Sequence, residues 1–139
     1  MPDIPQILTR ICRRAGLGYC PTRPLAANLE HTTRCNLNCK TCARHYWGGQ
    51  FRDMTPEVAE KVRRQILPLV AHATLSGYGE PLLGPHFFAL FDEAVRLGKS
   101  VSFITNGVLL DNATLKRVFR PGVDVHLSVF CAACERRDA

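Results

Sequence analysis

Cys35, Cys39 and Cys42 stand in the run RCNLNCKTCAR, with three and then two residues between them. Three thiolates at that spacing can wrap one iron-sulfur cluster from a single loop. A 4Fe-4S cluster takes four cysteine ligands as a rule, so three from one loop leave one iron open to a small molecule. An open metal position is a place for chemistry rather than a structural tie. A lone Cys-x-x-Cys pair also serves zinc or redox chemistry, and Cys131 and Cys134 form a second such pair. With Cys39 and Cys42 they would make a four-cysteine zinc site in a non-catalytic binding module, although the stretch between the pairs far exceeds the usual separation of roughly 15–20 residues.

Composition narrows the setting of this chemistry. The chain has 139 residues, 46% of them apolar, which suits one globular domain. Seven cysteines are an odd count, three are clustered, and the N-terminus MPDIPQILTRICRR lacks the positive-then-apolar order of a secretory signal. These features favour reduced thiols in the cytoplasm over a disulfide framework. No apolar stretch approaches the roughly 18 residues of a membrane span. The formal charge of +6 and pI near 9.2 would suit nucleic acid, but the arginines are scattered rather than run together, which argues against it.

The elements that must position the cysteines follow from local signals. Ile4, Ile7, Leu8 and Ile11 predict an amphipathic helix over 4–15, closed near Gly16 and Gly18 and covering a barrel end. A connector from Pro21 to Pro24 leads to a strand at 25–31, whose end delivers the cysteine loop. Thr55 and Pro56 predict a helix start and a helix over 56–69. A strand at 72–76, a helix at 85–97 stopped by Gly98, and a strand at 100–104 come next. A helix from the Asp111 cap to 119 and a strand at 123–129 complete the order. Strands alternating with helices imply parallel, right-handed βαβ units. The expected class is α/β: about four parallel strands with crossover helices, forming part of a (β/α) barrel. A closed barrel takes about 250 residues, so the chain reads as residues 1–24, a helix and connector, followed by residues 25–139, an incomplete core domain.

The cysteine triplet resembles the hallmark of the radical S-adenosylmethionine (SAM) enzymes. LSGYGEPLL at 75–83 is similar to their GGEP segment, carried here by Tyr78, Gly79, Glu80 and Pro81, and FITNGVLLD at 103–111 resembles the segment after their third strand. All three motifs follow predicted strands, where ligands bind in parallel βα architectures. The style is that of members with an auxiliary-cluster (SPASM) extension, which modify peptides or small molecules.

The resemblance implies that Cys35, Cys39 and Cys42 ligate a 4Fe-4S cluster whose open iron takes the amino and carboxylate groups of SAM. Reductive cleavage would then give a 5'-deoxyadenosyl radical that abstracts hydrogen from a peptide or small-molecule substrate. An electron donor such as a flavodoxin or ferredoxin is implied as partner. Glu80 would take the ammonium group of SAM. Gly77 and Gly79, beside Tyr78, would let the backbone approach its methionine. Asn106 and Ser128 would bind carboxylate or ribose. Plain readings stand beside these: Gly77–Pro81 and Thr105–Gly107 are also ordinary turn compositions. The histidines show no ligand spacing, and Tyr46 and Trp47 are expected to pack over the loop.

Two departures from the family pattern bear on the reading. Thr41 stands where relatives often have an aromatic beside the adenine, and Val129, Phe130 and Cys131 follow Ser128 where an acidic residue is usual. The competing expectation is a truncated remnant that holds a cluster without turnover.

Overall fold

The computed structural model describes residues 4–18, 22, 24–46, 50–129 and 134–136, with residues 5, 6, 45 and 134–136 described through their backbone alone. Pro21 and Arg23 of the connector, Trp47 and Cys131 therefore lie outside the described residues. Helix α1 spans Ile4–Arg14 and ends before Gly16, whose φ of 63° is the left-handed geometry that glycine adopts without a Cβ clash. Its apolar stripe does not cover a barrel end. Ile4 is 70% and Ile11 54% exposed.

Four strands, β1 (Ala26–Asn28), β3 (His72–Thr74), β4 (Ser100–Thr105) and β5 (Val123–Leu127), form one sheet in the order β1-β3-β4-β5. Every neighbouring pair is parallel. This is the expected α/β partial barrel, with β1, β3 and β5 shorter than the apolar runs suggested and β4 one residue longer. The crossovers contain α2 (Pro56–Lys61), α3 (Phe87–Arg96) and α4 (Asn112–Val118). Thr55 caps α2 by accepting the Val58 N–H, and Asp111 caps α4 by accepting the Thr114 N–H at 2.7 Å. Beyond Lys61 the expected single helix widens into a π-type turn over Val62–Ile66, with the Leu67 N–H reaching back five residues to the Val62 carbonyl at 3.0 Å.

Side chains alternate across the sheet. One face sends Leu29, Ala73, Leu75, Val101 and Phe103 into the core. There Phe103 meets the rings of Phe87 (centroids 5.1 Å apart) and Phe91 (6.3 Å) edge-on, the arrangement ring quadrupoles favour. The opposite face, inside the partial barrel, is polar. The register sets Asn28 beside Thr74, Thr74 beside Ser102, and Ser102 beside Asp124, with His72 bonded to the Ser102 hydroxyl at 2.9 Å.

A second, two-stranded antiparallel sheet was not foreseen. Strand β2 (Leu37–Cys39), inside the cysteine loop, pairs with β6 (Cys134–Arg136), and Cys39 lies opposite Cys134 in the register.

Candidate functional site

The cysteine loop leaves β1 and is tied down before its first cysteine. The Thr32 hydroxyl donates to Asp53 Oδ1 at 2.6 Å, Arg34 pairs with Asp53 at 2.8 Å, and the Met54 N–H donates to the His31 carbonyl at 2.8 Å. Burial acts to raise the Asp53 carboxyl, but the Thr32 hydroxyl and the Arg34 guanidinium together hold it below the usual carboxylate range. His31 itself is buried against Phe87, and burial lowers its pKa to about 4 against the pull of Asp53. It is a core histidine, its Nδ1 without a hydrogen-bond partner.

The GYGEP turn is built against this loop. The Glu80 N–H donates to the Arg34 carbonyl at 2.7 Å. A Cβ on Gly79 would lie 2.4 Å from the Thr32 carbonyl oxygen and 2.6 Å from that of Arg34. At Gly77 the crowding atom is Glu30 Oε1, at 2.2 Å, and the same oxygen accepts the Tyr78 N–H at 2.6 Å. Both glycines thus make room for the chain's own first strand and cysteine loop, a need that local sequence does not reveal.

Glu80 is buried. Its Oε1 accepts the Thr105 hydroxyl at 2.7 Å and the Leu82 N–H at 3.2 Å, and its Oε2 accepts the Asn106 N–H at 2.8 Å. The carboxylate therefore joins the GYGEP turn to the end of β4. Three donors occupy three of its roughly four lone-pair sites, which leaves one without a protein donor. In the Thr105–Gly107 turn, Gly107 has φ 79°. The Asn106 Oδ1 accepts the Val108 N–H at 3.0 Å, while its Nδ2 donates to Asn36 Oδ1 at 2.8 Å and to Cys35 Sγ at 3.7 Å. Ser128, just after β5, is held by its N–H on the Thr105 carbonyl at 2.8 Å.

Cys35, Cys39, Cys42, Gly77, Tyr78, Gly79, Glu80, Asn106 and Ser128 all line one cavity of about 610 Å³, open at the carboxyl ends of the strands. The structure thus brings together every site residue expected from the sequence. Thr41, Ile104 and Val108 line it too. Thr105 and Glu30 were missed, because their partners Glu80 and Tyr78 are set by strand register rather than by proximity in sequence. Glu30 opens onto a smaller cavity of about 350 Å³ on the polar face of the sheet, which shares Gly77 and Tyr78 with the first. Tyr46 does not pack over the loop; it is 85% exposed.

The three cysteine sulfurs surround the cavity without converging on a point. Among the described residues no three His, Cys, Asp or Glu side chains are placed to share one metal ion. A cluster asks for something else, since each thiolate binds a different iron. Cys35 and Cys42 are free thiols, whereas Cys39 is disulfide-bonded, so the donor set suits a cluster once that sulfur is reduced. The rival zinc site would need Cys131, outside the described residues.

Residues 29–135 match the family model of the radical SAM superfamily. The chain is 32% identical over 99 residues to the tungsten-containing aldehyde ferredoxin oxidoreductase cofactor-modifying protein of Pyrococcus furiosus, covering 70% of this chain and 28% of that protein. It is 32% identical over 106 residues to the PqqA peptide cyclase of Gluconobacter oxydans, covering 75% and 29%. The chain thus spans less than a third of the length of these curated relatives. Among solved structures, Streptococcus suis SuiB bound to S-adenosylmethionine superposes with a TM-score of 0.64 at 17% identity, covering 88% of this chain and 28% of that one. The structure of anSMEcpe with bound AdoMet gives 0.59 at 25% identity, covering 76% and 32%.

Proposed function

We propose, from the premise that this chain belongs to the radical SAM superfamily, that Cys35, Cys39 and Cys42 hold a 4Fe-4S cluster and that the cavity beside them binds SAM. The observation that carries this is the convergence of nine residues, from the ends of four parallel strands, on one cavity. When bound, the pair supplies reductive cleavage of SAM to a 5'-deoxyadenosyl radical that takes a hydrogen atom from substrate.

The chain's own groups have the remaining tasks. The free lone pair of Glu80 accepts from the ammonium of SAM in a buried, charge-assisted bond. Asn106 and Ser128 offer polar groups to carboxylate or ribose on the far wall. Leu37, Ile104 and Val108 give the cavity an apolar lining that limits water around a reactive species. Thr41 offers no ring for the adenine to stack on.

The substrate class is a peptide or small molecule. The PqqA peptide cyclase supports the peptide reading by its name, and the cofactor-modifying relative supports the other. The electron is proposed to come from a flavodoxin or ferredoxin, and the setting to be the cytoplasm. No helix among the described residues is long and apolar enough to cross a membrane.

Anaerobic reconstitution with iron and sulfide tests the reading. The expected result is about four irons and four sulfides per chain, lost on Cys35→Ala, Cys39→Ala or Cys42→Ala and kept on Cys12→Ala or Cys134→Ala. Zinc in place of iron and sulfide, or a cluster that survives Cys39→Ala, would overturn it.

A further inference from the structure

Asn106 lines the cavity, and its side-chain geometry gives it a role beyond the proposed contact with SAM. Its side-chain amide has no freedom to turn over. The Oδ1 is committed to the Val108 N–H at 3.0 Å and the Nδ2 to Asn36 Oδ1 at 2.8 Å, so the nitrogen must be the atom facing Cys35 Sγ at 3.7 Å. The backbone is fixed as well, with the Asn106 N–H on buried Glu80 Oε2 at 2.8 Å and the Gly107 N–H on the Thr105 hydroxyl at 3.1 Å. The same sulfur also accepts the Leu37 N–H at 3.5 Å. Among the described residues, no hydrogen bond of this kind reaches Cys42 Sγ. Cys35 thus carries a sulfur with two N–H donors.

We infer that Asn106 is a positioning residue that tunes the reduction potential of the cluster through an N–H···S bond to Cys35. This rests on the proposed cluster role of the cysteine loop. A donor beside a thiolate lowers electron density on the sulfur, and it stabilises the reduced, more negative cluster more than the oxidised one. Asn106 therefore holds the potential above the value that the three thiolates alone would set. Because Asn106 directly follows β4, this donor comes from the edge of the sheet and not from the loop that binds the iron.

The test is a redox titration of the reconstituted 139-residue chain, monitored by electron paramagnetic resonance and run without SAM so that contact with SAM cannot contribute. Asn106→Leu removes the donor without adding charge. The expected result is an unchanged iron content with a midpoint potential more negative than wild type, so that fewer than half of the variant clusters are reduced at the wild-type midpoint. An unchanged midpoint with full iron overturns the inference.

Should Asn106→Leu fail to keep iron, the wild-type chain labelled with side-chain 15N-asparagine decides the matter. A 15N coupling to the reduced cluster that persists when Asn36 and Asn38 are both replaced by Ala supports the bond, and no such coupling overturns it. A wild-type chain that takes up no cluster overturns the reading of the cysteine loop, and this inference with it.

Discussion

Glu80 concentrates the site's energetics in one side chain. Its carboxylate is buried and accepts from Thr105, Leu82 and Asn106. Removing it takes away the proposed partner of the SAM ammonium and leaves three protein donors without an acceptor. Glu80→Ala is expected to weaken SAM binding by roughly 1.5–3 kcal/mol and to destabilise the fold by about 1–3 kcal/mol, with iron content unchanged. Calorimetry with SAM on the reconstituted protein and urea denaturation separate the two effects, and an unaltered dissociation constant would remove Glu80 from the SAM site. That the motif residues gather at one cavity was legible in the sequence, because each motif follows a strand end. What each one touches was not. Thr105 lies 25 residues from the carboxylate it serves, and only the parallel register brings them together.

At the scale of elements, the two glycines of the GYGEP turn make a contrasting pair. A methyl at Gly79 meets backbone carbonyl oxygens of the cysteine loop at 2.4 and 2.6 Å, whereas one at Gly77 meets only side-chain atoms, Glu30 Cγ, Cδ and Oε1, which can shift by a change of rotamer. Gly79→Ala is therefore expected to lower stability by roughly 1–3 kcal/mol and Gly77→Ala by less, both read from urea midpoints. Equal effects would mean that the two loops are not held as close as described. Helix starts and stops at Thr55, Asp111, Gly16 and Gly98 could be read because capping and left-handed turns are written in adjacent residues. The pairing of β2 with β6 could not, since each strand is three residues long and its partner lies almost a hundred residues away. The widened turn after Lys61 was equally hidden, as its residues are ordinary helix formers.

For the molecule as a whole, the buried imidazole of His31 ties stability to pH. Its pKa is about 4 in the folded chain against an ordinary 6.5, chiefly through burial. Between those values the unfolded chain binds the proton and the folded chain does not, so stability falls as pH drops through this window and is fully present above it. The contribution is about 3 kcal/mol across the window. Urea denaturation of the metal-free chain at pH 7, 5.5 and 4 should show the loss, and His31→Leu should flatten that part of the profile. A wild-type profile with no such decline would mean that the ring is protonated in the fold.

The four parallel strands stand side by side in the order in which they occur along the chain. A nascent polypeptide can therefore add each unit to the free edge of the last, without prising apart strands already joined. The order also sets a delay. At a synthesis rate of roughly 5–20 residues per second, the three thiols leave the ribosome on the order of ten seconds before Ser128 closes the far wall of their cavity. During that interval they face oxidants and stray metals unprotected. On the proposed cluster reading, iron and sulfide would reach these thiols either before that wall is built, in competition with other metals, or after it, through the open end of the cavity.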